Sequence, residues 1–301
     1  MQKLIHYIKN AEAGRIALGH FNISDIAALK AIFEAARELN LPIMIGVSEG
    51  EREFIGVRQA VALIKSLREE YDYPIFLNAD HTHSLEKARE AAEAGFDEVL
   101  FDGGKLPLAE NIAQTKTVVQ ALKAINPEII VEGELGYIGS SSEVLKEIPA
   151  GAAIKPEDLT TPEQAVEFVS ATGVDMLAPA VGNLHGIIAR TNADLTQTYA
   201  DTATDPPLDI ARIAAIKNAV KIPLVLHGGS GNSNEDFIKA IAAGINIIHI
   251  NTEIRLAWRK GVEVGLAKNL DEVAPYKILP EAMNAIKEVV KNRLQLFSKP
   301  R

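Results

Sequence analysis

Short apolar runs recur along the chain, and the stretches between them carry apolar residues at helical spacing. Eight runs stand out: Ile16 to Ile23, Ile43 to Val47, Ile75 to Ala79, Glu98 to Phe101, Ile129 to Glu132, Met176 to Val181, Pro223 to Leu226 and Ile245 to Ile250. Each has the length of a buried strand. Between most of them the spacing predicts helices, as in Ser24 to Leu39, where Ile26, Leu29, Ile32 and Ala36 share a face. Ser84 reads as an N-cap with Gly95 as the stop. Thr161-Pro162-Glu163-Gln164 combines a capping box with proline at the first helical position, and Ser233 to Gly244 repeats the cap-to-glycine pattern. Strands that alternate with helices and lack hairpin turns predict parallel pairing. Eight such units, with no linker rich in Pro, Gly or Ser, predict an α/β fold: one (β/α)8 TIM barrel, a single domain over residues 1–301.

Three segments exceed a minimal barrel. Gly136 to Leu159 forms a long loop after strand five, and Ile187 to Pro207 forms another after strand six. Long loops that follow strands mark the catalytic face of a barrel. From Pro280 onward the tail predicts an amphipathic helical extension with Ile286, Val289, Val290 and Leu294 on one side. Packing is its first reading and oligomer contact its second.

Composition narrows the chemistry. The 301 residues are 47% hydrophobic, enough for a large core, and the net charge of −9 argues against nucleic-acid or anionic-membrane partners. Cysteine is absent, so a metal would be held by His, Asp, Glu or water. The N-terminal stretch carries charges inside its apolar positions, unlike a signal peptide, and no apolar run reaches membrane-spanning length. The expectation is a soluble cytoplasmic enzyme.

The strand ends carry the candidate chemistry. They offer Asn22, Ser48, Asp80 with His81, Asp102, Glu132 with Glu134, His185 a little past its strand, His227, and His249 with Asn251. In a closed barrel these converge on one mouth. The chain has seven histidines, and four of them lie here with His83 nearby. Imidazoles on different strands beside carboxylates suit a catalytic zinc or similar divalent ion, with three protein ligands and an open position. The expected ligands are His81, His185 and His227. His83 should point away from His81 along an extended chain, and His6 reads as structural. Glycine-rich turns adjoin two of the ligands, in Gly182-Asn183-Leu184-His185-Gly186 and His227-Gly228-Gly229-Ser230-Gly231. Such turns let backbone N–H groups approach an oxyanion, and barrel phosphate sites commonly use the last two loops.

Taken together, GHFNISD, IGVSEGE, NADH, EVLFDGGKLPLAENI, VEGELGYIG, VGNLHG, VLHGGSG and INTEIRLAW resemble the class II, metal-dependent fructose-bisphosphate aldolases over almost the whole chain. That family includes the tagatose-bisphosphate aldolases. The resemblance implies a (β/α)8 barrel, dimeric or larger, that uses zinc to cleave a ketose bisphosphate reversibly to dihydroxyacetone phosphate and an aldehyde. It implies His81, His185 and His227 as metal ligands, with Glu134 as a carboxylate beside the metal. Asp80 matches the acid/base group at the C4 hydroxyl. Gly186, Gly228, Ser230 and Thr252 match the C1-phosphate cradle, and Asn22 and Ser48 match substrate-side polar positions. Arg255 matches an arginine that, in part of the family, reaches the far phosphate of a neighbouring subunit.

Several positions depart from the family pattern. Ser141 and Ser142 stand where the family has its loop glutamate, which makes Glu143 the candidate proton donor. Ala189, followed by Arg190, replaces a common phosphate-binding lysine. Asn78 replaces a common histidine. Asn251 stands where fructose-specific members often carry aspartate and tagatose-specific ones alanine. His249 occupies the usual asparagine position and is expected to contact substrate, then to donate a proton, and last to serve as a fourth ligand. Two other classes are weighed: a metal-dependent hydrolase, from His81-Thr82-His83, and a silent sugar-phosphate binder, from the missing loop glutamate.

Overall fold

The computed structural model describes residues 2–139, 142–188 and 206–299. Eight parallel strands close a barrel in chain order: β1 (Leu18–Asn22), β2 (Ile43–Val47), β3 (Ile75–Thr82), β4 (Glu98–Phe101), β5 (Ile130–Leu135), β6 (Met176–Pro179), β7 (Leu224–Leu226) and β8 (Ile245–Ile250). β8 pairs with β1, with His249 level with His20, and closes the ring. Helices fill the connections, so the strands are covered on their outer side and buried, with only His81 of β3 partly exposed, as parallel sheets require. The predicted α/β barrel is therefore the observed fold.

The barrel interior has an apolar floor and a polar top. Leu18, Met44, Phe76, Met176, Val225 and Ile247 form the floor. The N-terminal helix Leu4–Gly14 presses Leu4, Ile8 and Ala11 onto that floor and closes this end of the barrel. The opposite end, where the strands stop, is left to polar side chains.

Local grammar holds at most helix ends. Ser84 accepts from the Lys87 N–H, Gly95 ends that helix in the left-handed region, and Thr161 and Gln164 complete their capping box. The helix predicted over Ser24 to Leu39 begins at Ile26, where Asp25 caps it through the Ala28 N–H. Ile26, placed on the buried face by spacing, is the first residue of the helix and is 57% exposed.

The tail helix Pro280–Phe297 buries Ile286, Val290, Leu294 and Phe297. Its Arg293 makes a two-pronged ion pair with Glu253 at 2.9 and 2.7 Å. The packing reading of this segment is thus met. Within the long loop after β5, Val144–Leu145 pairs in parallel with Ile187–Ile188 after β6, which ties the two insertions together over the mouth. Most of the second insertion, with Ala189 and Arg190, and also Ser141, lies outside the described residues. Among the described residues no helix is long and apolar enough to cross a membrane.

Candidate metal centre and active site

β3 does not stop at Asp80. It runs on through His81 to Thr82, and its register against β4 shifts between Ala79 and Thr82. His81 sits at φ +43°, in the left-handed region that non-glycine residues rarely occupy. This kink aims the imidazole into the mouth. It also leaves His83 on the rim of the same cavity rather than on the opposite side. A buried guanidinium supports the turn: Arg52 donates to the carbonyls of Val47 and Asp80 at 2.6 and 3.1 Å and to the Thr82 hydroxyl at 3.1 Å.

His81, His185 and His227 come together from segments far apart in sequence, with ring centroids 4.6, 4.9 and 5.8 Å apart. Glu134, at the end of β5, joins them, and one ligand-type atom from each of the four lies within 4.8 Å of the others. Each ring orientation has a visible cause. The His81 Nδ1–H donates to Asp102 Oδ2 at 2.8 Å, which leaves Nε2 facing inward. The His227 Nε2 is engaged by Glu132 Oε1 at 2.8 Å, which leaves Nδ1 facing inward. Those two inward nitrogens are 3.2 Å apart. Two nitrogens on one tetrahedral zinc, each at about 2.05 Å, would stand roughly 3.3 Å from each other, so the spacing fits. His185 Nε2 and Glu134 Oε2 are buried without a hydrogen-bond partner, a costly arrangement that a cation would relieve.

Electrostatics follow from this crowding. Burial works against a charged His81, but Asp80, Asp102 and Glu134 outweigh it and push its pKa up to about 10. Burial, then the neighbouring His81, pulls His227 down to about 3. Burial, then Asp102, holds Glu134 well above the usual carboxylate range. Burial also resists ionisation of Asp80, yet His81 and His249 overcome it and keep the carboxyl well below its ordinary value. Asn22 Nδ2 donates to Asp80 Oδ2 at 2.8 Å, while Asp80 Oδ1 has no hydrogen-bond partner and faces His249 Nδ1 at 3.4 Å.

Sequence reasoning missed three features. His20, in the middle of β1, lies flat against His249 with centroids 3.4 Å apart and planes within 5°. An imidazole ligates in its own plane, and parallel planes that far apart share no such point, so this pair does not hold a common ion. Gly46 leaves the space: a Cβ there would stand 2.1 Å from His20 Cε1. Glu51 is the second. It accepts from Asn22 Nδ2 (2.9 Å), from the Ser48 N–H (2.8 Å) and from Arg255 Nη2 (2.8 Å). Third, Glu98 is fully buried beside Glu132, and burial, then the Glu132 carboxyl, raises it well above the usual carboxylate range.

Two cavities meet at this centre. One is narrow and lined by Gly186, Gly228, Ser230 and Thr252, with Asn22 and His249. It lies at the N-terminus of the helix Thr252–Lys268, where backbone N–H groups favour an anion. Gly228 has φ +59°, and a Cβ there would meet the Leu184 carbonyl at 2.2 Å, so only glycine allows this approach. The other cavity is about 300 Å³ and includes Ser48, Glu143 and Arg255. Asp80, Ser142, His185 and Asn251 border both. Glu143 is exposed at the rim, and Arg255 Nη1 donates to the Ser142 carbonyl at 3.0 Å within its own chain. All the expected site residues thus surround one mouth.

Residues 2–300 match the family model described as fructose-bisphosphate aldolase class-II. The chain is 33% identical to the fructose-bisphosphate aldolase of Geobacillus stearothermophilus, over 96% of its own length and 94% of that protein's. It is 34% identical to a Staphylococcus aureus fructose-bisphosphate aldolase at similar coverage, 96% and 94%. Among solved structures it resembles the YdjI aldolase of Escherichia coli K12, with a TM-score of 0.79 and 28% identity, covering 99% of this chain and 97% of that one.

Proposed function

The chain belongs to the class II fructose-bisphosphate aldolase family, and from that premise we propose that it cleaves a ketose phosphorylated at C1, reversibly, to dihydroxyacetone phosphate and an aldehyde. The observation that carries this reading is the meeting of three imidazoles and Glu134 around one point, beside a carboxylate with a free oxygen. His81, His185 and His227, with Glu134 adjoining, would hold a divalent ion, with zinc as the first choice for a nitrogen-rich tetrahedral set. Bound there, the ion would act as a Lewis acid toward the ketone and stabilise charge on its oxygen.

The remaining steps belong to the protein. The Gly186, Gly228, Ser230 and Thr252 cradle holds the C1 phosphate, remote from the breaking bond, and so positions it. Asp80 Oδ1 takes the proton of the C4 hydroxyl as the C3–C4 bond breaks. The bonding pair moves onto the ketone fragment, and the aldehyde leaves. His249 and Asn251 contact the fragment, with Asn22 and Ser48 beside it. Glu143 returns a proton to C3 to complete dihydroxyacetone phosphate. Fructose 1,6-bisphosphate, named for the relatives, is the reference substrate; His249, Asn251 and Ala189 favour testing tagatose 1,6-bisphosphate and other ketose phosphates beside it. The unit is one barrel domain, working as a cytoplasmic homodimer or homotetramer.

Metal content and dihydroxyacetone phosphate release test the proposal together. His81→Ala and His227→Ala should each lose both, and the wild type should lose turnover on chelation and regain it with zinc. Full turnover in chelated protein, or ketose phosphate binding with zinc retained and no cleavage of any ketose, would overturn it.

A further inference from the structure

The end of β3 carries both the metal ligand His81 and the base Asp80, yet it is the part of the strand that the sheet holds least. β2 pairs with β3 as far as Ala79, opposite Val47. β4 pairs at Asn78 and Ala79 and next at Thr82. Asp80 and His81 fall between these partners on both sides, and it is here that His81 adopts its left-handed φ of +43°. A non-glycine residue keeps such a conformation only where its surroundings impose it.

What meets this segment is the short helix Glu49–Ile55 that follows β2. Its Arg52 is buried; Nη1 donates to the carbonyls of Val47 and Asp80 at 2.6 and 3.1 Å, and Nη2 donates to Thr82 Oγ1 at 3.1 Å. The Glu49 carboxylate accepts the His83 N–H at 2.9 Å. One helix thus holds the kink from the residue before His81 to the two residues after it. All three acceptors of Arg52 are neutral. Burying a guanidinium against neutral groups is costly, and its planar fork is what lets one side chain reach acceptors on two strands at once. We propose that Arg52 is a positioning residue for the reaction: through the Asp80 carbonyl and the Thr82 hydroxyl it holds His81 in the conformation that aims its ring into the metal centre, and it keeps the Asp80 carboxyl beside that ring. The part that concerns Asp80 rests on the aldolase reading above; the part that concerns His81 rests on metal binding alone. The phosphate cradle is built on the turns after β6, β7 and β8, not on this helix. Substrate anchoring and the placing of ligand and base are therefore separable.

Zinc affinity of the full-length protein, read by competition with a chromophoric chelator, gives the test. Arg52→Lys keeps the charge and loses the fork. It should weaken zinc binding about 10–100-fold, as loss of a ligand's supporting partner does. With zinc saturating, kcat on fructose 1,6-bisphosphate should fall by about tenfold or more while KM stays within about threefold, because the cradle is intact and the base is misplaced. A role in packing alone would lower the melting temperature and move neither reading. Thr82→Val keeps the shape and removes one acceptor, so it should weaken zinc binding several-fold. Added to Arg52→Lys it should cost little more than Arg52→Lys alone, since both act through one contact. Zinc affinity within about twofold of the wild type in folded Arg52→Lys, or in Thr82→Val where Arg52→Lys does not fold, would overturn the inference. So would a raised KM with kcat unchanged. A wild type that binds zinc and cleaves no ketose phosphate sinks the aldolase reading, and the zinc comparison still judges Arg52.

Discussion

Asp102→Asn tests how the chain sets the ligating atom of His81. Both carboxylate oxygens of Asp102 are occupied: Oδ2 accepts the His81 Nδ1–H at 2.8 Å and Oδ1 accepts the Gly104 N–H at 3.0 Å. An amide of the same shape offers one acceptor where two are needed. In either orientation its NH2 group faces an N–H donor. If the amide turns its nitrogen to His81, the ring's proton is driven from Nδ1 to Nε2, the atom that faces His227. The ligand is then lost, or the ring must be held in an unfavourable tautomer. A hydrogen bond to a charged group is worth about 1.5–3 kcal/mol. Loss of such a ligand-orienting partner typically lowers metal affinity about 10–100-fold. The variant should therefore bind zinc about 10–100-fold more weakly by competition with a chromophoric chelator. The metal-free form loses the same hydrogen bond to a charged His81, so its melting temperature should fall as well, by about 2–4 °C per kcal/mol lost. At saturating zinc, much of the turnover should return. Zinc affinity within twofold of the wild type (roughly the scatter of such titrations) would refute the orienting role.

Two other outcomes are expected. Below about pH 10 the ion-free His81 is protonated, because its carboxylate neighbours raise it to about 10, so a metal ion must displace that proton. Zinc loading at neutral pH should release about one proton, and affinity should climb with pH and level off as His81 loses its proton unaided; calorimetry in buffers of different ionisation enthalpy reads this, and no proton release would contradict it. Arg293 and Glu253 are almost fully buried, at 4% and 1% side-chain exposure, so Arg293→Met alone should cost about 3–5 kcal/mol in urea unfolding by leaving a lone buried carboxylate. Adding Glu253→Leu should restore most of the loss, and a single-variant cost below about 1 kcal/mol would count against the pair as a buried charge clamp.

The barrel was legible because its strands are short, fully buried and separated by well-capped helices. Ser84, Thr161 and Ser233 mark helix starts in the sequence and cap them in the structure. The metal cluster was legible because polar residues at strand ends must converge in a closed barrel, whatever the details of packing. What local pattern could not supply was direction. The kink at His81 is a backbone event imposed by tertiary contacts, among them Arg52 bridging Val47, Asp80 and Thr82 across two strands. An extended chain would have sent His83 the other way. Likewise Glu51 looks like an ordinary first-turn helix carboxylate, as the capping partner of Ser48. Only the fold shows that its second oxygen reaches an arginine more than two hundred positions on.

His20, which sequence reasoning missed, belongs to a pattern that a sequence does carry. Inward-facing positions on a strand recur every second residue. On β1, His20 precedes Asn22 by two; on β3, Asn78 precedes Asp80; on β5, Glu132 precedes Glu134; on β8, His249 precedes Asn251. Reading for polar strand ends finds Asn22, Asp80, both glutamates of β5, and both His249 and Asn251. On β1 the first member, His20, lies one step deeper and looks like a blemish in an apolar run. The deeper members brace the site: His20 stacks on His249, and Glu132 orients His227. TIM barrels fill their interior in layers contributed by alternate strands. Here β1, β3 and β5 contribute His20, Asn78 and Glu132, all fully buried, to a polar stratum between the apolar floor and the metal centre. Burying such groups is expensive: Glu132 is engaged by His227, while the polar atoms of His20 and Asn78 are buried without a hydrogen-bond partner, so their shared level in the barrel argues for a supporting layer beneath the site rather than isolated accidents. A pair of polar residues two apart, repeated on alternate predicted strands, is thus a stronger mark of a barrel's working end than any single histidine.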